Sequence, residues 1–188
     1  MPPGAAVTER VSDKPSFPID KKLMYSRILI IGSCGAGKST LARSLHEATG
    51  LPVVHLDALH WLPGWTERPK EEFLSLLREE LEKPRWIIDG NYSGSLPLRL
   101  EYCDAVIWLD YNRVTCLWGV VRRVLKNRGR TRPDMGPGCP ERFDRDFLKY
   151  VWRFDGRKFE PLLAASGKPV FRARNRRALK HIIISHFL

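Results

Sequence analysis

The chain has 188 residues, close to a single domain of roughly 100–200 residues, and 43% of them are hydrophobic, enough for one sizeable core. That composition excludes a mainly disordered chain, and no apolar run approaches the ~18 residues of a membrane span. Lys and Arg outnumber Asp and Glu by 32 to 21, a net +11 that by itself points to nucleic acid or another polyanion. The excess is local, however: residues 122–188 hold 18 basic and 6 acidic side chains.

Residues 1–26 carry Pro2, Pro3, Pro15 and Pro18, no hydrophobic period and no apolar signal-peptide core. They read as a flexible extension ahead of a folded domain spanning 27–188. RILIIG (27–32) is a short apolar run ending in glycine. Residues 38–49 form a helix with Leu41, Leu45 and Ala48 on one face, stopped by Gly50 and Pro52. VVHLD (53–57) is a second strand, and Pro69 opens a helix to 82 with Phe73, Leu76, Leu77 and Leu81 inward. WIID (86–89) and AVIWLD (105–110) are two more strands, and 113–126 is helical with Leu117, Val120, Val121 and Val124 inward. The stretch 127–140 (NRGRTRPDMGPGCP) holds three Gly and three Pro, so it is a loop, one rich in arginine. A helix over 141–165 places Phe143, Phe147, Tyr150 or Val151, and Phe154 in the core. PVFRA (169–173) is a fifth strand, followed by a last helix from about Asn175. Strands alternating with helices in this way predict a three-layer α/β domain around a parallel sheet. Cys34, Cys103, Cys116 and Cys139 form no CxxC pair, as suits reduced thiols in a cytoplasmic protein.

The first strand runs into Gly32, Ser33, Cys34, Gly35, Ala36, Gly37, Lys38, Ser39 and Thr40, which match GxxxxGK[ST]. Glycines let the backbone wrap its N–H groups around phosphate oxygens, and the helix that follows adds its positive N-terminus. Lys38 is placed to reach the β- and γ-phosphates of ATP, and the Ser39 hydroxyl to ligate Mg2+. Such a metal also wants a carboxylate at the end of a neighbouring strand, and Asp57, Asp89 and Asp110 each end an apolar run. Asp89 is the strongest of the three, because Gly90 permits a tight turn that aims it at the metal.

IIDGNYSGSLPLRLEYCDAVIWLDY resembles the DGFPR…DxVIxLD segment of adenylate kinases, in the same order after a phosphate loop. LDALHWLPGWTERPKEEF, WIIDGNYS, CDAVIWLDY and RPDMGPGCPERFD together resemble small P-loop proteins known as topology modulation or adenylate-kinase-related proteins. The resemblance covers about 27–188. It implies a nucleoside-monophosphate-kinase-like fold, of adenylate and shikimate kinase type, with a five-stranded sheet, an acceptor-binding region at about 57–83 and a short Arg-rich lid at about 127–140. It further implies that Asp89 supports Mg2+ through water and that Arg123 contacts the transferring phosphoryl. Arg128, Arg130 and Arg132 would be lid cations that close over ATP, with Arg130 and Arg132 at the reacting group. Asn175 would flank the adenine. Two departures stand out: Gly119 replaces an arginine of the adenylate kinases, and the DGFPR arginine is absent from Asp89-Gly-Asn-Tyr-Ser.

Asp57 would orient or deprotonate the acceptor, Trp61 and Trp65 would stack on it, and Arg99 would bind an anionic part of it. The expectation is a phosphotransferase acting from ATP·Mg2+ on a small-molecule acceptor, a nucleotide being one candidate, with no membrane association. An ATP-binding regulator or NTPase acting on nucleic acid through the basic C-terminal third is the alternative. A GTPase is disfavoured because no NKxD motif is present.

Overall fold

The computed structural model describes residues 24–188, so the extension read from sequence lies largely outside the described residues. The chain opens with β1 (Arg27–Gly32), α1 (Lys38–Thr49) and β2 (Val53–His55). A short helix α2 (Leu56–His60) and a hairpin of β3 (Trp61–Leu62) and β4 (Thr66–Glu67) precede α3 (Lys70–Leu81). Then come β5 (Trp86–Asp89), α4 (Leu96–Tyr102), β6 (Ala105–Leu109) and α5 (Arg113–Asn127). The remainder is α6 (Arg145–Arg153), α7 (Glu160–Ala165), β7 (Val170–Ala173) and α8 (Arg176–His186). Five strands form one parallel sheet in the order β2-β5-β1-β6-β7.

The strands are apolar on both faces because helices cover both. Ile28 and Ile30 of β1 pack with Leu41, Ala42 and Leu45 of α1 and with Val120 and Val124 of α5. Leu29 and Ile31, on the opposite face, pack with Phe73, Leu77 and Leu81 of α3 and with Phe159 and Leu163. Tyr25 closes the first core against Phe171 and Phe187. No helix among the described residues is long and apolar enough to cross a membrane.

The helix expected over 141–165 is instead two helices with a break. Asp144 caps α6, its carboxylate accepting from the amides of Asp146 and Phe147. Gly156 lies against the Trp108 indole, where a Cβ would be tight, and the chain turns there. The turn carries it around the edge of the sheet: Val151 is buried on the α1 face, whereas Phe159 and Leu163 are buried on the α3 face. Phe143, expected in the core, is 63% exposed, because it precedes α6 instead of lying within a helix. Sequence periodicity also missed α2, the β3–β4 hairpin and α4, each too short to show a period.

Candidate phosphate-loop site

Most of the candidate chemistry gathers at the C-terminal edge of the sheet. The loop between β1 and α1 wraps there, with Gly35 and Gly37 at φ of +81° and +96°, where a side chain would be strained. The Lys38 ammonium folds back over the loop and donates to the carbonyls of Gly32 (2.9 Å) and Ser33 (3.1 Å). Ser39 sits in the first turn of α1, and Thr40 faces solvent. Outside the loop, Asn91 accepts from the Gly32 amide at 2.9 Å, tying β1 to the turn after β5. Neither this contact nor Asn91 itself was legible in the sequence beyond its place next to Asp89-Gly90.

Gly119 acquires a physical reason. A Cβ there would collide with the Gly35 carbonyl, and a Cβ on Gly35 would collide with the Cys116 carbonyl. The phosphate loop and α5 therefore touch backbone to backbone, and no side chain fits between them at Gly119.

Asp89 is 3% exposed and pairs with Ile30 of β1, which brings it beside the phosphate loop. Its carboxylate meets His55 Nδ1 at 2.5 Å. Burial opposes a charge on His55, but the Asp89 hydrogen bond and the charges of Asp89 and Asp134 outweigh it, so its pKa is raised. Asp110, by contrast, is taken by Arg172 at 2.8 Å and is not available to a metal at the loop.

The loop over 127–140 supplies Asp134, which lies against the Ser39 hydroxyl and the charge of His55. Burial opposes ionisation of Asp134, yet Arg132 and Ser39 hold its carboxyl below the usual range. Arg132 reaches both Asp134 and Glu141, and Arg123 reaches Glu141. The contacts on Glu141 Oε1 are 2.7 Å from Arg132 and 3.0 Å from Arg123, but off the N–H directions, so they are ionic and not aligned hydrogen bonds. Glu141 is 4% exposed. The two arginines thus converge on one buried acid, which the sequence did not single out.

Two other arginines go elsewhere. Arg128 and Arg130, expected over the nucleotide, are exposed. The pairings of Arg128 with Glu141 and of Thr131 with Pro140 fix that turn, so that only Arg132 points inward. Arg99 is a second correction: it is fully buried and its donors serve the carbonyls of Gly90, Asn91, Tyr92 and Ser95, so it does not reach an acceptor. Asn175 uses its side chain to cap α8, accepting from the Ala178 amide at 2.8 Å.

The 127–140 loop docks on the β3–β4 hairpin. Gly138 accepts from the Gly64 amide (3.0 Å), Pro140 from the Trp65 indole (3.2 Å), and Leu62 from the Cys139 thiol (3.2 Å). A Cβ at Gly136 would overlap the Trp61 carbonyl. Gly136→Ala should therefore lift the loop from the hairpin, overpacking of this kind costing about 1–3 kcal/mol. Mass-spectrometric thiol labelling should show Cys139 reacting at least about tenfold faster, with buried Cys103 and Cys116 unchanged; unchanged Cys139 labelling would contradict the contact.

Between loop, hairpin and phosphate loop lies a cavity of about 580 Å3, lined among others by Cys34, Asp57, Trp61, Trp65, Arg123 and Arg132. A second cavity of about 430 Å3 opens beside Ser33 at the ends of β6 and β7, and Arg113 and Arg174 line it.

In comparisons with known proteins, no family model matches the chain and no curated protein matches it. Solved structures do. The chain is similar to shikimate kinase from Acinetobacter baumannii, with a TM-score of 0.53 and 16% identity over 86% of this chain and 93% of that one. It is also similar to shikimate kinase from Bacteroides thetaiotaomicron, with a TM-score of 0.51 and 18% identity over 85% and 95% of the two chains. The domain therefore has the three-layer α/β P-loop kinase fold of the shikimate kinase type.

Proposed function

We propose that this protein is a small phosphotransferase that moves the γ-phosphoryl group of ATP to a small-molecule acceptor. The observation that carries this reading is the meeting of two cavities on one phosphate loop, one through Ser33 and the other through Cys34. A transfer reaction needs such a pair. We assign the nucleoside part of ATP to the first and the acceptor to the second. The phosphates would lie in the loop, with Lys38 swinging from the Gly32 and Ser33 carbonyls onto them.

The donor set fits Mg2+, a hard cation that takes one or two carboxylates and completes its shell with water and phosphate oxygens. Ser39 and Asp89 would hold it, with Asp134 within reach of Ser39. Bound there, it would draw charge from the phosphates and so ease the transfer. Among the described residues no group of three or more His, Cys, Asp or Glu could hold a metal ion, so the phosphates of ATP would complete the shell. Arg123 and Arg132 would exchange Glu141 for the transferring phosphoryl, supplying positive charge in a dry cleft. The resemblance to the topology modulation and adenylate-kinase-related proteins supports this reading, and the four free thiols suit the cytoplasm.

A coupled assay of ADP formation over nucleosides, nucleotides and small hydroxylated compounds tests it. One class of acceptor should raise turnover well above background hydrolysis, and Lys38→Ala should abolish at least about 99% of that rate. ATP binding without acceptor-stimulated turnover would defeat the proposal.

One observation favours a second reading, action on nucleic acid. Neither α5 nor α8 contains an acidic residue, and Trp118 on α5 is 66% exposed, with Arg122 one turn and Lys126 two turns further along the helix. Binding of this kind would weaken steeply with salt and survive Lys38→Ala.

A further inference from the structure

We infer that the acceptor is an uncharged alcohol built on a flat ring, of nucleoside size and carrying no phosphate of its own. This rests on the phosphotransferase reading and narrows it.

Backbone strain marks the acceptor cavity. Among the described residues the non-glycine residues with positive φ are Trp65 (+62°) and Tyr92 (+30°), and both line it. Such conformations cost about 1–3 kcal/mol each and persist where the surrounding fold imposes them, most often at functional sites. Trp65 is held by the Pro140 carbonyl and by Arg142 over its ring, and Tyr92 through its carbonyl by Arg99. The strain presents aromatic surface. Trp61 and Trp65 meet at 5.5 Å with planes 69° apart, forming a corner that offers a face and an edge to a flat ligand.

The charges argue against an anionic acceptor. The inward cations Arg123 and Arg132 meet Glu141 at rest and, in the proposed transfer, are taken up by the γ-phosphoryl. Arg142 and Lys158 also line the cavity, but they are exposed, so solvent screens them, and they lie over aromatic rings. The acid that faces the acceptor, Asp57, has the Tyr92 hydroxyl as its partner at 2.8 Å and no cationic partner among the described residues. A phosphate on the acceptor would bring a dianion towards Asp57 and Glu141, with no free buried cation among the described residues to meet it. An alcohol meets no such penalty, because its hydroxyl can donate to Asp57.

Burial, then the charge of Asp57, pushes the Tyr92 phenol up, so it stays protonated and donates. Tyr92 is thus a positioning residue that aims the Asp57 carboxylate. In the transfer, the acceptor oxygen bonds to the γ-phosphorus as the bond from that phosphorus to the β–γ bridging oxygen breaks. The bridging oxygen leaves on ADP with the electron pair, and the hydroxyl proton passes to Asp57.

The test uses the full chain with the natural ribo- and deoxyribonucleosides and pyridoxine as probes, each beside its 5′-phosphate ester. Tryptophan fluorescence reads binding and phosphorus NMR with ATP·Mg2+ reads the product. At least one alcohol should bind about tenfold or more tightly than its phosphate ester and be phosphorylated. Trp65→Ala should weaken its binding by at least about fivefold, as expected for loss of stacking. Asp57→Asn should keep its Kd within about threefold while lowering kcat about 100-fold or more. Tyr92→Phe should lower kcat with KM nearly unchanged, a split that a merely structural tyrosine would not produce. Esters that bind as well as or better than the alcohols, or no binding by any probe, would overturn the inference. Monophosphates converted to diphosphates would leave phosphotransfer standing and remove this acceptor class. Tight alcohol binding without ATP consumption would keep the ligand class and remove phosphotransfer.

Discussion

Replacing Arg99 by Met is expected to cost the fold about 3–5 kcal/mol, because it strands several backbone carbonyls that each cost about 1–3 kcal/mol when left without a donor. No carboxylate neutralises this guanidinium among the described residues; four backbone carbonyls solvate it instead. Burial lowers its pKa only to about 10, so it is cationic at neutral pH and each bond is charge-assisted. Met matches its length without a donor, leaving the carbonyls of Gly90, Asn91, Tyr92 and Ser95 in a dry interior. The same turn carries Asn91 to the Gly32 amide and the Tyr92 hydroxyl to Asp57, so the glycine-rich loop and the cavity beside it should both loosen. Thermal unfolding should show Tm lower by about 10 °C, at 2–4 °C per kcal/mol for a domain of this size. A loss below about 1 kcal/mol would mean that these carbonyls find other donors.

Gly119→Ala should also be harmful, against the ordinary sign for such a change. In a helix interior Ala is about 1 kcal/mol better than Gly, so propensity predicts a more stable α5. The methyl group, however, would have to enter the space of the Gly35 carbonyl. That neighbour is backbone and cannot rotate away, and overpacking against it costs about 1–3 kcal/mol. Relief requires α5 to move or the Gly35 peptide to turn, and either change disturbs the N–H groups that cradle phosphate. ATP binding measured by calorimetry should weaken about tenfold or more, with Tm unchanged or lower. A higher Tm with intact ATP binding would show that propensity wins and that the backbones are not in contact.

These two positions show where sequence reasoning reached its limit. Gly119 was noticed as a departure from the adenylate kinases, but its cause lies 84 positions away at Gly35, in a contact no local pattern encodes. Arg99 looks like any arginine on a helix, and its burial follows from where α4 packs. Arg128, Arg130 and Arg132 are chemically alike and evenly spaced, and only the two bridges beside them decide that Arg132 alone turns inward. Glu141 was read as the start of a helix, and the structure makes it the acid on which Arg123 and Arg132 converge.

The sheet was legible because parallel strands buried on both faces are near-continuous apolar runs, and all five coincide with such runs. The phosphate loop was legible because its chemistry needs glycines and Lys38 within a few consecutive residues, and consecutive residues stay together in space. The basic surplus of the last third was plain as a sum, yet pairing divides it. Arg123, Arg132, Arg157, Arg172 and Lys149 each meet an acid, while the cations on the outer faces of α5 and α8 meet none among the described residues. Sequence alone therefore determined the class of fold and singled out the glycine-rich loop at 32–40, both being local in the chain. Tertiary structure decided which charges face inward, what neutralises them and how the larger cavity is roofed, because those depend on contacts between segments that only folding brings together.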